Sequence, residues 1–464
     1  MSQTDNYMDN LVSVYITNHN YGAYIRQSIE SVLNQTFDNY ELLIIDDGST
    51  DHSREIIERY RSVDKVKIIF QKNKGLNITN NIAMRAAKGK YIMRLDADDY
   101  LDSNALLVMT NALESDDALG LVFPDYYLVD EKGNILSLET RHNFDEEVSL
   151  LDQPAHGACT MIRRQFLLEL NGYKEDYSCQ DGYELWIKFI QKYKVTNINT
   201  ALFYYRQHGA NLTGNEERIL STRAMIKDDY SREAGHAQKA IAILPIRGED
   251  SQNHTTALET VGDRTLLEHK LDQLVHAEAV KLVVVTSPSP VIEEIVNKGD
   301  FPDKVMFLNR DAAMAQLNTN LHDTISYVIE EIPEIAYDYL MIMGIEYPFI
   351  GTATIQDAVN SMAIFQADSL ISVRPETNLF FTHDGHGMKP ILNMEKFSRL
   401  ERESLFKNIG GITVVSKDFF RENKKVLGGQ VGHIVISQKQ ALGIFSKFDL
   451  KLARLVHEEK LQTQ

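Results

Sequence analysis

The chain of 464 residues is poor in cysteine and tryptophan, with only Cys159, Cys179 and Trp186. Two cysteines cannot form a disulfide framework, and their scarcity favours a reducing compartment. No apolar run approaches the roughly 18 residues that a membrane-spanning helix needs. The first ten residues, MSQTDNYMDN, lack the basic and apolar segments of a signal peptide. The sequence therefore predicts a cytoplasmic protein without a transmembrane segment.

The chain also has fewer basic than acidic residues. Lysine and arginine number 48 against 66 aspartates and glutamates, which gives a formal net charge of −18. Sequence-independent nucleic-acid binding depends on lysine and arginine to neutralise phosphates, so this balance predicts no nucleic-acid partner. The hydrophobic fraction of 43% is that of an ordinary globular protein.

Short apolar, β-branched runs alternate with helical patterns along nearly the whole chain, which is typical of mostly parallel α/β sheets flanked by helices. The alternation pauses at 211–238, where the sequence is polar and helix-prone. We therefore predict two α/β domains, residues 1–210 and 239–464, joined by a helical connector over 211–238.

Two acidic motifs follow predicted strands in the first half. DDGSTD occupies Asp46–Asp51 and DADD occupies Asp96–Asp99. Ligands of open α/β sheets bind beyond the carboxyl ends of strands. Paired carboxylates there can share a divalent cation that also holds substrate phosphates. Either motif alone can be a solvated acidic turn, but the two together favour a ligand site.

Three segments, VSVYITNHNYGAYIRQSIESVLNQTF, ELLIIDDGSTD and NKGLNITNNIAMRAAKGKYIMRLDADD, follow each other in an order and spacing that resembles the inverting glycosyltransferases of family two. The resemblance runs from about residue 11 to 213 and implies a GT-A fold. It also implies a nucleotide-sugar donor, a glycan or glycoconjugate acceptor, and Mn²⁺ or Mg²⁺ as cofactor.

The resemblance implies roles for single residues. The implied donor ligands are Asn18, Asn20, Asp47 and Asp96. The implied metal ligands are Asp96, Asp98 and His208, with Asp98 the preferred direct ligand and Asp99 able to assist. For His208, a purely structural histidine is the alternative.

Inverting transfer needs a carboxylate that deprotonates the acceptor hydroxyl, and the resemblance places it in SCQDGYELWIKF. Asp181 is the predicted base, and capping of the following helix is its alternative role. Glu184 is the second candidate, because Gly182 makes the spacing one residue longer than the family's common form. The resemblance also implies that His156 and Gly157 line the acceptor site.

The second half resembles, more weakly, the cytidylyltransferases that activate nonulosonic acids and Kdo as CMP-sugars. AILPIRG, LVVVTS, LNRDAAMAQLNTNLHDTISYVI and FDLKLA follow in that family's order. Its two loop lysines correspond to Ser251 and Thr256, and its two metal-binding aspartates to Gly443 and Phe445. The resemblance thus implies a second nucleotide-diphospho-sugar-transferase-like, Rossmann-like domain without catalysis. It also implies homo-oligomerisation through this half, an argument from the fold alone.

Three functions remain open at this point. The favoured one is a glycosyltransferase of bacterial surface polysaccharide or glycoprotein glycan assembly with a non-catalytic C-terminal domain. A bifunctional protein whose second half also makes a CMP-sugar is the first alternative. A scaffold in which neither half catalyses is the second.

Overall fold

The computed structural model describes residues 11–140, 155, 157–177, 179–208, 216–299, 301, 304–316, 320–376, 378, 380–383, 385, 387–391 and 405–462, without the side chains of residue 181 and residues 460–462. The chain divides into two compact units, the first ending at Arg223 and the second beginning at Ala224. The predicted bounds 1–210, 211–238 and 239–464 remain predictions.

The described elements up to the division alternate strands and helices. They are β1 (Val12–Asn18), α1 (Ile25–Leu33), β2 (Tyr40–Asp47), α2 (Ser53–Glu58), β3 (Val66–Gln71), α3 (Leu76–Ala86), β4 (Tyr91–Asp96), β5 (Tyr100–Leu101), α4 (Ala105–Ser115), β6 (Leu119–Val129), β7 (Ile135–Glu139), β8 (Met161–Arg163), α5 (Arg164–Glu169), α6 (Asp181–Ile190), β9 (Lys194–Arg206) and α7 (Glu216–Glu233), within which the division falls.

The first sheet has the order β3-β2-β1-β4-β8-β6-β9-β5, with β7 paired to β6. Strands β1 to β4 are mutually parallel neighbours, whereas β8, β5 and β7 pair antiparallel. The β-branched runs of β1 and β2 are buried on both faces, as parallel strands covered by helices require. Helix α1 turns Ile25, Ile29 and Val32 into this core.

The described elements of the second unit continue the alternation. They are β10 (Ala240–Pro245), α8 (Gln252–Leu258), β11 (Thr260–Val261), β12 (Arg264–Thr265), α9 (Leu266–Val275), β13 (Val280–Ser287), α10 (Pro290–Lys298), β14 (Val305–Asn309), a 3₁₀ turn (Ala312–Ala315), α11 (Leu321–Glu331), β15 (Tyr339–Met343), α12 (Thr352–Phe365), β16 (Ser369–Glu376), β17 (Phe381–His383), β18 (Met388–Pro390), β19 (Leu405–Ser416), α13 (Lys417–Asn423), β20 (Val431–Val435) and α14 (Lys447–Gln462).

The second sheet has the order β14-β13-β10-β15-β19-β16-β20. Only β19 runs antiparallel to its neighbours β15 and β16. The predicted α/β class, sheets flanked by helices, is therefore confirmed, and both sheets are mixed. Apolar runs predict where strands lie but not their direction, which is set by how the chain returns to the sheet.

Among the described residues, no helix combines the length and the apolarity that crossing a membrane requires. Cys159 and Cys179 are both buried free thiols. Burial, together with the nearby Asp99 charge, holds the pKa of the Cys159 thiol well above its ordinary value. Cys159 therefore has the character of a small buried hydrophobe and not of a nucleophile. Trp186 is also in the core, edge-on to Phe123.

Candidate active site

The carboxyl ends of β1, β2 and β4 lie side by side at one edge of the first sheet. In the strand register, Asn18 is opposite Asp46, and Thr17 is opposite Asp96. The Thr17 hydroxyl donates to Asp96 Oδ1 at 3.1 Å. The two acidic motifs, far apart in sequence, therefore meet at one edge, where open α/β sheets bind ligands.

Residues Asp96–Asp99, the acid turn, carry two buried carboxylates. Asp98 is 6% exposed, and its Oδ2 lies 2.9 Å from His208 Nε2. Asp99 is 1% exposed, and its Oδ1 accepts a hydrogen bond from the main-chain nitrogen of Arg206 at 2.9 Å. Asp99 Oδ2 is buried without a hydrogen-bond partner in the described part of the chain. The structure thus brings the predicted pair Asp98 and His208 into direct contact.

The acid turn concentrates negative charge in a dry environment. Burial raises the pKa of the Asp98 carboxyl, and the charge of Asp96 adds to the effect. Burial and the charges of Asp98 and Asp96 raise the pKa of Asp99 well above its ordinary value. The phenol of Tyr21 faces the same charges, and burial and those charges raise its pKa as well. Burial is the first cause of each shift, and the charges of the neighbouring carboxylates add to it.

Asp96 is held by a residue that the sequence analysis did not single out. Arg94 Nε lies 3.0 Å from Asp96 Oδ1, and the Arg94 side chain is almost fully buried. A β-carbon on Gly157 would stand 2.6 Å from Arg94 Nη2. The implied acceptor segment therefore passes directly over the Arg94 guanidinium, which would have to shift if residue 157 carried a side chain. A charged residue inside an otherwise apolar strand, YIMRL, was the available signal.

The predicted donor ligands lie in two connected turns. Asn18 Nδ2 donates to Asp46 Oδ2 at 2.8 Å and to Ser49 Oγ at 3.0 Å. Asn20 Oδ1 accepts from the Thr50 main-chain nitrogen at 2.8 Å. Gly48 has a φ of 78°, so the turn after β2 depends on a conformation that favours glycine. The turns after β1 and β2 are thereby fixed to each other.

Asp47 faces the next loop. Its carboxylate accepts hydrogen bonds from the main-chain nitrogens of Lys74 at 2.8 Å and Gly75 at 2.9 Å, and from Gln71 Nε2 at 2.8 Å. These contacts hold the segment that leads into α3. The nucleoside contact of Asp47 stays a prediction.

On the acceptor side, α6 begins at Asp181 and lies against Gly157. A β-carbon on Gly182 would stand 3.3 Å from the Gly157 Cα atom, so the two backbones are in close contact. The predicted base segment and the predicted acceptor segment are therefore neighbours. The Asp181 side chain and the whole of His156 lie outside the described residues.

Glu184, the second candidate for the base, points away from solvent. Its side chain is 2% exposed, forms an ion pair with Lys188 and accepts a hydrogen bond from the Lys174 main-chain nitrogen at 3.4 Å. A buried carboxylate that is already paired with a cation is poorly placed to take a proton from an acceptor.

Two further residues complete the site. Tyr24 stacks on His208 with ring centroids 5.4 Å apart. The guanidinium of Arg206 lies over the rings of Tyr24 and Tyr100. The sequence analysis named the nearby His208 but gave Arg206 no role. The partners described here lie in three distant parts of the sequence, at 24–27, 98–100 and 130–131, which a local pattern does not reveal.

Comparisons with known proteins concern the first part of the chain. The family profile described as Glycosyl transferase family 2 matches residues 13–170. A glycosyltransferase, GlyG, of Streptococcus pneumoniae serotype 4 is 35% identical over 241 residues, which cover 47% of this chain and 78% of that protein.

Two relatives from Escherichia coli have more specific names. A chondroitin synthase is 32% identical over 205 residues, 43% of this chain, and the match covers only 29% of that longer protein. The UDP-Glc:alpha-D-GlcNAc-diphosphoundecaprenol beta-1,3-glucosyltransferase WfaP is 28% identical over 245 residues, 51% of this chain and 94% of that protein.

Proposed function

The chain belongs to glycosyltransferase family 2, and from this we propose that it is a metal-dependent, inverting transferase. It moves a sugar from a nucleotide-sugar donor to an acceptor hydroxyl in bacterial surface-glycan assembly. The observation that carries the proposal is the contact of Asp98 with His208 in the acid turn, beside the paired turns after β1 and β2. The relatives named as a UDP-Glc-dependent transferase and as a chondroitin synthase support the donor and product classes.

The residues of the acid turn fit a divalent cation. Asp99 Oδ2 is buried without a hydrogen-bond partner in the part of the chain that is described, and burial and mutual repulsion raise the pKa of both Asp98 and Asp99. Mg²⁺ and Mn²⁺ accept oxygen ligands, and such ions often take one or two carboxylates from the protein and the rest from substrate phosphates. Within the described ranges, no group of three or more His, Cys, Asp or Glu side chains is arranged to hold a metal ion. Asp98 and His208 would hold it, with Asp96 or Asp99 assisting.

When bound, the ion supplies charge neutralisation for the departing diphosphate. Residues of the chain itself bind the donor and orient the groups of the site. The turns after β1 and β2, which carry Asn18 and Asn20, form the donor side. Arg94 fixes the orientation of Asp96 and, through its contact with Gly157, relates the donor side to the acceptor segment.

Asp181 is the proposed general base. The start of α6 lies against Gly157 of the predicted acceptor segment, which supports this role. As the acceptor oxygen forms its bond to the anomeric carbon, the bond from that carbon to the diphosphate breaks, and the hydroxyl proton passes to the carboxylate. Attack opposite to the leaving group inverts the anomeric configuration. The buried ion pair of Glu184 with Lys188 favours Asp181 over Glu184.

A thermal-shift screen tests the donor class. Purified full-length protein is heated with UDP-, GDP-, TDP- and CMP-sugars, each with Mn²⁺ and with EDTA. Because a ligand that binds only the folded state stabilises it, one donor is expected to raise the melting temperature with Mn²⁺ and not with EDTA. Equal melting temperatures in every condition would contradict the proposal.

We also propose that the second unit is a cytidylyltransferase-like domain without catalysis. At the two predicted lysine positions, Ser251 accepts a hydrogen bond from the His254 main-chain nitrogen and caps α8, and Thr256 is buried. Neither supplies the charge that a triphosphate needs. A β-carbon on Gly443 would meet the rings of Tyr347 and Phe445, so that segment is filled by aromatic contacts.

Incubation of the full-length protein with CTP, Mg²⁺ and 3-deoxy-ulosonic acids is therefore expected to release no pyrophosphate. An active cytidylyltransferase serves as the assay control. Release of pyrophosphate in proportion to protein would establish the bifunctional alternative instead.

Homo-oligomerisation through the second unit belongs to the same proposal. Helix α14 leaves Phe448, Leu452 and Leu455 exposed on one face, and Phe448 is 74% exposed. An apolar stripe of this kind is typical of a protein–protein contact. Both buried cysteines are free, which supports a reducing, cytoplasmic setting.

A further inference from the structure

Arg206 is the most extensively bonded buried side chain around the acid turn. It is 2% exposed, although a free guanidinium is strongly hydrated. Its Nε donates to the Asp98 carbonyl oxygen at 2.8 Å, and its main-chain nitrogen donates to Asp99 Oδ1 at 2.9 Å. Arg206 therefore binds two consecutive residues of the acid turn: Asp98 through its carbonyl oxygen and Asp99 through its carboxylate.

The rest of the guanidinium reaches two other elements. Nη1 donates to the carbonyl oxygens of Asp130 and Glu131, at 3.2 and 2.9 Å, in the turn after β6. Nη2 donates to Gln27 Oε1 in α1 at 2.7 Å. Arg206 thus ties the acid turn to a helix and to a turn that are far away in sequence.

The same group closes a ring of contacts around His208. The guanidinium carbon lies 4.8 Å from the centroid of the Tyr24 ring. Tyr24 stacks on the His208 imidazole, and His208 Nε2 lies 2.9 Å from Asp98 Oδ2. Arg206 therefore acts on both members of the Asp98–His208 pair, on Asp98 through its carbonyl and on His208 through Tyr24.

We propose that Arg206 is a positioning residue that sets the geometry of the Asp98–His208 pair for metal binding. The inference rests on the proposed function, because it assumes that this pair holds the cation. Arg206 itself is no ligand: it is a buried cation whose donors are spent on protein oxygens. Groups that orient metal ligands in this way typically change metal affinity by about 10- to 100-fold when they are replaced.

The competing explanation is that Arg206 merely stabilises the unit. Arg163 provides a matched control, because it is also buried, lies against an aromatic ring, Tyr91, and donates to the carbonyl oxygens of Leu119 and Leu113. It is located on β8 opposite Tyr91, at the start of β4, whereas the acid turn follows the end of that strand. Arg163 therefore makes the same kinds of contact as Arg206, but none of its contacts among the described residues is with the acid turn.

The experiment compares Arg206→Lys and Arg163→Lys in the full-length protein. Binding of Mn²⁺ alone is measured from the electron paramagnetic resonance signal of the free ion, so that no turnover is needed, and melting temperatures are recorded in parallel. Both variants are expected to melt lower. Only Arg206→Lys is expected to weaken Mn²⁺ binding by about tenfold or more, while Arg163→Lys binds within about twofold of the parent.

Gln27→Ala serves as a milder second variant, because Gln27 is an exposed residue whose replacement removes its hydrogen bond with Nη2 and leaves those to Asp98, Asp130 and Glu131. It is expected to weaken Mn²⁺ binding by roughly two- to fivefold, which is less than the effect of Arg206→Lys, because only one of several hydrogen bonds in the network is lost. Parental Mn²⁺ affinity in both Arg206→Lys and Gln27→Ala would overturn the inference alone. A parent protein that binds no Mn²⁺ would overturn the inference and the metal-dependent function together.

Discussion

Replacement of Asp98 by asparagine is expected to abolish sugar transfer. The side chain keeps its shape and can still accept a hydrogen bond, but it loses the negative charge that would hold a cation beside His208. A lost charge-stabilising group of this kind typically costs about 10²- to 10³-fold in rate. Since metal binding would fail as well, we expect a loss at or beyond the upper end. Initial rates of transfer and of donor hydrolysis at a fixed Mn²⁺ concentration provide the measurement.

Stability separates this effect from unfolding. Burial and the Asp96 charge raise the pKa of Asp98, so the ionised carboxylate is an unfavourable group in the folded protein, and its removal is not expected to lower the melting temperature. Asp116→Asn is the matched control, because Asp116 is paired with Lys194 far from the acid turn. It is expected to transfer at the parental rate. An Asp98→Asn protein with more than about a tenth of the parental rate would contradict its proposed role.

Asp181→Asn is expected to slow transfer by about 10²- to 10⁴-fold, the usual contribution of a general base. Donor binding is expected to be unchanged, because the start of α6 lies against Gly157 on the acceptor side. The rate of transfer with saturating donor, and the donor-induced thermal shift, measure the two effects separately.

Glu184→Gln is the companion variant. Because Glu184 is buried against Lys188, its neutralisation leaves a buried lysine without its partner, and the expected effect is on stability. If Asp181→Asn transferred at the full rate while Glu184→Gln lost activity without melting lower, the base would be Glu184.

Much of the first sheet follows from local sequence. The strands that precede the two acidic motifs carry apolar runs, because strands buried on both faces need them, and the motifs lie at strand ends as predicted. The contact of Asp98 with His208 joins residues 110 positions apart. It was accessible only through a resemblance to a family.

Other parts of the site could not be predicted in this way. The carboxylate of Asp47 is occupied by main-chain nitrogens of a loop, a contact that depends on the backbone path and on no side-chain pattern. Gly157 lies against the guanidinium of Arg94, and Arg206 binds the acid turn, the turn after β6 and α1. The sequence does not distinguish a buried arginine from an exposed one. Only the folded structure shows which oxygens its N–H groups bind.

Donor hydrolysis by metal-stripped protein, measured during stepwise addition of Mn²⁺, is the most direct test of a cation that neutralises the departing diphosphate. The expected result is no turnover in EDTA and a saturable rise with Mn²⁺ in the parent protein, with no rise in Asp98→Asn. Turnover at the same rate in EDTA and in Mn²⁺ would contradict the account.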